Sequence, residues 1–421
     1  MYKSALFLLM TTLGLSGTAF ANQVNTHIEK HNNGTWTVAY RTDEPVTQLS
    51  FNRSPNNARR TRWLPVSQDF EIAYQDEVES IQRKDGKTFN QVQFNLTATY
   101  IPLPKDYAPF SPFSDGGMLF HSGRFFVCID KCEADNNSWS ISVSAPNNQH
   151  IIVNGQVYAQ QASWIDQDSG QKVYVGDALP IADKHFVSII DQQLPQQLSD
   201  DIKNQLPGLM DFYSQKLGEL DFRPSLYASY HDSSNGGYGH QGGTLPGQVF
   251  MHWYGKPAIE NLNTDATYWF FAHELGHIFQ RDAQYIENPQ QAWIHEGAAE
   301  FFAGQAARAD YFNKKLIQAR QDCLAGLKDN HNYLAASANN FRLHYSCGLV
   351  LINTINQQLT EQTNMDMFMI WRDFNKKVAH GDKAGADTFL SSLKAHLPAD
   401  YFTQLQQFAS STEFNAYDFF Q

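Results

Sequence analysis

The sequence predicts an α+β protein in which an antiparallel β-domain leads into a mainly α-helical domain with a small sheet. Three observations predict it. Short alternating apolar–polar runs, such as residues 35–40 and 91–96, fill the first part of the chain between turn-forming clusters. After about residue 185 the apolar residues switch to helical spacing. Two apolar runs, 225–230 and 248–253, precede the first central helix and supply the small sheet.

Taken in order, residues 1–21 read as a targeting segment. Lys3 gives a positive start, residues 5–15 are apolar, and Ala19-Phe20-Ala21 is a small-x-small cleavage signal before Asn22. That run is short for a bilayer span, and no later run reaches about 18 apolar residues. The expectation is an exported protein, periplasmic or secreted, with no stable membrane anchor in the mature chain. Residues 22–183 form the β-domain, punctuated by Ser54-Pro55-Asn56-Asn57, Asp115-Gly116-Gly117 and Asn154-Gly155. Residues 184–421 form the helical domain, with helices expected over 194–217, 265–280, 292–307, 310–327, 341–359, 365–378 and 386–396.

Composition narrows the function classes. With 421 residues, 42% hydrophobic and 14% aromatic, the chain can bury a full core, which excludes a low-complexity or small disulfide-scaffold protein. A formal net charge of −12 argues against nucleic acid and anionic membrane as partners, because both demand a basic face. Four cysteines suit an oxidising compartment. Cys128 with Cys132 and Cys323 with Cys347 are the simplest pairing. Connectivity and free thiols stay open, while a zinc cluster lacks the C-x-x-C spacing.

His273-Glu274-Leu275-Gly276-His277 is an H-E-x-x-H motif within an expected helix. Positions i and i+4 share one helix face, so two imidazoles can converge on one Zn²⁺. Glu274 beside them is a candidate general base. Asn263, Thr264 or Asp265 can cap the helix start, and Trp269, Phe270 and Ile278 give it apolar surface. A third ligand is needed, and Trp293-Ile294-His295-Glu296-Gly297-Ala298 lies at a suitable distance downstream. Adjacent helical positions diverge by about 100°, so His295 and Glu296 cannot both face one ion.

These paired motifs resemble the zinc signature of the gluzincin aminopeptidases, close to the alanyl/leucyl and glycyl aminopeptidase families. The resemblance implies a thermolysin-like catalytic domain with one zinc ion held by His273, His277 and Glu296 rather than His295. It implies Glu274 as the base and a peptide as substrate. Tyr345-Ser346-Cys347-Gly348 is similar to the family's Y-x-[KR]-G segment, with Cys347 in place of the basic residue, which makes Tyr345 the oxyanion donor and Tyr333 the next candidate. Glu300 or Asp282 would orient an imidazole ligand through its outer nitrogen.

Gly236, Gly237, Tyr238, Gly239 and His240 stand where those families place a substrate-binding edge strand, and Gly239 occupies the position of the amino-terminus-gripping Glu. An exported zinc aminopeptidase is therefore expected from the resemblance. Gly239 favours an endopeptidase instead, and a zinc-containing, non-hydrolytic peptide-binding protein is the reading from a different class.

Overall fold

The structure, a computed structural model, describes residues 24–103, 106–132, 138–167 and 169–421. The targeting segment expected at residues 1–21 lies outside the described residues. Three sheets build the first half. Strands Val24–Lys30, Trp36–Val46, Phe89–Leu96, Trp63–Pro65, Ser138–Ser144 and Gln161–Gln167 form one of six strands. Sheets of four and five strands complete the half. Pairing is antiparallel apart from Val24–Lys30, which runs parallel to Ser138–Ser144. Alternation explains the outcome: Val24, Thr26, Ile28 and Lys30 are buried on one face while their neighbours face out. Asn154 and Gly155, both at positive φ (51° and 67°), make the two-residue turn between strands His150–Val153 and Gln156–Ala159.

The second half opens with a five-stranded mixed sheet. Val187–Ile190, Ser225–His231 and Gln248–Tyr254 run parallel, and Gly239–Leu245 closes the edge antiparallel to Gln248–Tyr254. The expected helices follow as Gln196–Leu217, Thr264–Gln280, Trp293–Ala306, Ala309–Leu327, Leu343–Gln362, Met367–Ala379 and Ala386–Leu393. Helices Tyr333–Asn339, Ala399–Ser410 and Ala416–Phe420 add to them.

A core cluster joins the halves. Phe113, Leu119, Ile152 and Tyr174 from the β-sheets pack against Val187, Ile189, Tyr227, Leu245 and Phe250 of the mixed sheet. Polar contacts fix its register. The Gln248 amide pairs with the Lys172 backbone like a strand partner, accepting from N at 2.7 Å and donating to O at 2.9 Å. Asp191 accepts from the backbone N–H groups of Ser114 (2.7 Å) and Tyr230 (3.1 Å).

Both disulfides, Cys128–Cys132 and Cys323–Cys347, are closed. The second ties helix Ala309–Leu327 to helix Leu343–Gln362, which gives Cys347 a structural task where the resembling segment has a basic residue. The Glu296 helix crosses the Tyr345 helix at two glycines. A Cβ on Gly297 would fall 2.5 Å from the Gly348 carbonyl carbon, so the backbones meet with no room for a side chain. Gly297→Ala is therefore expected to lower stability by ~1–3 kcal/mol through overpacking, read as a fall in the urea midpoint. An unchanged midpoint would mean that the crossing is looser than described.

Candidate metal centre

The Thr264–Gln280 helix starts where Asn263 accepts from the Ala266 N–H at 3.0 Å, one of the expected caps. Capping there sets the face on which His273 and His277 emerge, one turn apart. The chain then reverses and enters helix Trp293–Ala306, which presents Glu296 in its first turn. The positive end of that helix favours a carboxylate at this position.

The three groups meet. The Nε2 atoms of His273 and His277 are 3.1 Å apart, and Glu296 Oε2 lies 3.3 Å and 3.2 Å from them. Ligand atoms about 2.0–2.1 Å from a tetrahedral ion stand about 3.3 Å from one another, so this triangle has the edge lengths of a zinc site. All three residues are buried. Among the described residues this is the one group of three or more His, Cys, Asp or Glu side chains whose atoms converge in this way.

The surroundings orient the donors. His277 Nδ1 lies 2.7 Å from Gln280 Oε1, an acceptor only, so Nδ1 carries the proton and Nε2 keeps its lone pair for a cation. Gln280 Nε2 donates to the His295 carbonyl at 2.7 Å and thereby ties the two motif segments together. His273 Nδ1 lies 3.0 Å from Glu300 Oε1, whose other oxygen accepts from Trp269 Nε1 at 3.0 Å. Of the two orienting candidates, Glu300 is at the site, whereas Asp282 is exposed and apart from it. His295 lines the same cleft with Nε2 3.5 Å from Glu296 Oε1, outside the donor triangle.

Electrostatics make the same demand. Burial alone would lower His273 and raise Glu296, yet the carboxylates of Glu296 and Glu300 hold His273 well above its ordinary value. The imidazoles of His277, His273 and His295 hold Glu296 well below its own. A buried cluster this rich in negative charge calls for a cation, and two imidazole nitrogens with a carboxylate oxygen suit Zn²⁺.

Glu274 faces the cleft beside the triangle, and the Thr244 hydroxyl donates to its Oε2 at 2.7 Å. Tyr345 stacks on His273 with ring centroids 5.6 Å apart and lines the cleft. Burial, reinforced by Glu296 and Glu274, pushes its hydroxyl far up, so it remains a phenol donor. Tyr333 is elsewhere, buried with its hydroxyl 2.6 Å from His344 Nδ1.

The glycine-rich expectation needs correction. The edge strand forms, but the residues that reach the cleft are Gln241, Gly242, Gly243, Thr244 and Leu245, while Gly236, Gly237, Tyr238, Gly239 and His240 do not line it. Thr244 is the strand residue that touches Glu274, and Gly239 lies five residues back along the strand, about 17 Å away at ~3.4 Å per residue. Gln280 and Thr244 were not foreseen. Thr244 acts through a contact between elements, which leaves no spacing signal, whereas Gln280 pairs with His277 three residues earlier in its own helix and reaches the His295 carbonyl beyond it.

The chain matches no protein-family model and no curated protein sequence. In fold it is similar to an M1 zinc metallopeptidase from Deinococcus radiodurans, at 13% identity and TM-score 0.52, over 92% of this chain and 93% of that one. A mutant of that enzyme bound to a Tyr-Ser-Ala substrate gives 12% and 0.53 over the same shares. Native yeast LTA4 hydrolase gives 12% and 0.54, over 94% of this chain and 66% of that one. A β-domain followed by a helical domain of this architecture is thus shared with zinc metallopeptidases.

Glu300→Ala is expected to weaken zinc binding about 10- to 100-fold, measured by competition with a chromophoric chelator, and Asp282→Ala to leave it unchanged. Equal effects of the two would contradict the orienting contact.

Proposed function

We propose that this protein is a zinc-dependent peptidase, and the observation that carries it is the His273–His277–Glu296 triangle with Glu274 beside it. When bound, the ion supplies Lewis-acid polarisation of the scissile carbonyl and acidifies a water. Glu274 accepts the proton of the attacking water and passes it to the leaving amine. Thr244 occupies one carboxylate oxygen of Glu274, which restricts its rotation and leaves the other for that transfer. Tyr345 donates its phenolic hydrogen to the developing oxyanion. An intact base favours this reading over a non-hydrolytic binding protein, since binding alone needs none.

The cleft holds about 980 Å³, room for a short peptide, and its described carboxylates are Asp106, Glu274 and Glu296. Glu274 and Glu296 have tasks at the metal centre, and Asp106 is held between Arg53 and Arg124. A substrate ammonium group therefore finds no uncommitted partner among these three. We favour a peptidase that does not require a free amino terminus over the aminopeptidase expected from the resemblance. Two disulfides in the fold support an oxidising compartment, in keeping with export.

Zinc-loaded protein is expected to cleave a peptide and its N-acetylated twin at comparable rates, followed by mass spectrometry of the products. Cleavage confined to the free amine would restore the aminopeptidase assignment. Glu274→Gln is expected to retain zinc and lose turnover by at least about 100-fold. Full activity of that variant would remove Glu274 as the base.

A further inference from the structure

The cleft wall opposite the metal centre comes from the β-domain and is positively charged. Asn52, Arg53, Asp106, Tyr107, His121 and Arg124 line it. Arg53 Nε donates to Asp106 Oδ2 at 2.7 Å, and Arg124 Nη2 donates to Asp106 Oδ1. Arg124 is buried and its Nε donates to the Tyr107 carbonyl at 2.9 Å, so it already neutralises Asp106. The Arg53 charge is surplus to that pair.

Its setting is built. Buried Arg59 pairs with Glu79 and donates from Nη2 to the carbonyls of Arg53 (3.0 Å) and Arg124 (2.9 Å), fixing both backbones. Gln241, on the cleft-facing part of the edge strand, donates to the Asp106 carbonyl at 2.8 Å and accepts from the Ala108 N–H at 3.0 Å. That contact docks the Asp106 segment on the strand that leads to Thr244. Tyr107 spans the gap: its hydroxyl donates to the Thr244 carbonyl at 3.1 Å, and the Thr244 hydroxyl in turn reaches Glu274 Oε2 at 2.7 Å. Arg53 thus lines the same cleft as His273, Glu274 and Glu296, anchored at Nε. Its Nη groups have no hydrogen-bond partner among the described residues, and the side chain is 59% exposed. A guanidinium held at one edge and open at the other is pre-organised for a two-pronged acceptor.

We infer that Arg53 is a specificity-determining residue that takes a carboxylate of the substrate, a role that rests on the peptidase reading for its context. The carboxylate has two sources, the free carboxyl terminus of a short peptide or an acidic side chain.

The test uses the full chain with zinc in a Glu274→Gln background, so that binding is read without turnover. Two peptide pairs are compared by calorimetry: one ending in a free carboxylate or a carboxamide, the other amidated and carrying Glu or Gln at one internal position. We expect at least one carboxylate member to bind about 10- to 100-fold tighter than its neutral twin, and Arg53→Gln to bring that ratio near one. Preference in the first pair assigns the terminus, preference in the second assigns the side chain, and either supports the inference. Ratios near one for both pairs with Arg53 present, or a ratio that survives Arg53→Gln, would overturn it. Because the readout is a ratio within each variant, a general loss of affinity cancels, and melting temperatures confirm folding. Turnover of the same peptides by the unsubstituted chain separates the two claims: no hydrolysis with the preference intact would sink the peptidase reading alone.

Discussion

The structure depends on one electrostatic constraint: three donor atoms converge at a buried point around which the charged side chains in contact are carboxylates, Glu296 and Glu300. Removing one carboxylate from water costs several kcal/mol, even after relaxation. Glu296 and Glu300 lie within one turn of each other and close on the same imidazole, so a cation at the shared point offsets that cost. The rest of the helical domain serves to hold the point in place. Two imidazoles share one helix, the carboxylate arrives on a second, and the backbones of Gly297 and Gly348 touch so that Tyr345 on a third helix closes the site.

The two halves divide the labour. The helical half carries the candidate metal ligands, the candidate base and the phenol, and the β-half supplies the facing wall. Their seam is set by an apolar cluster and by side chains acting as strand partners, Gln248 for Lys172 and Gln241 for the Asp106 segment. Any slip at this seam would move Tyr107 off Thr244, and with it the hydroxyl that anchors Glu274. The Asp106 segment and Glu274 are therefore linked through one strand, Gly239–Leu245.

Much of the site was legible in the chain because it is periodic. His273 and His277 announce a shared face by their spacing, Glu296 follows on the return helix, and Asn154-Gly155 marks its hairpin without any tertiary information. Helix Ala399–Ser410 lies beyond the last expected helix, 386–396, although its Phe402, Leu405 and Phe408 keep a helical spacing. Strand Gly239–Leu245 was harder. Its three glycines blur the two-residue alternation, and the part that lines the cleft depends on tertiary pairing, which brings Thr244 rather than Gly239 to Glu274. Thr244 and Arg53 were invisible for a common reason: each acts through a partner 30 or more residues away, and a hydroxyl or a lone arginine carries no pattern of its own. Gln280 differs, since it stands three residues after His277 on the same helix face and its spacing could have been read.

The most direct test of the central claim is X-ray absorption at the zinc edge on the purified protein, with metal content measured on the same sample. One zinc per chain, bound by two imidazole nitrogens and by oxygen at about 2.0–2.1 Å, with no sulfur, is the result expected. A chain that takes up no zinc, or a shell with sulfur at about 2.3 Å, would contradict it.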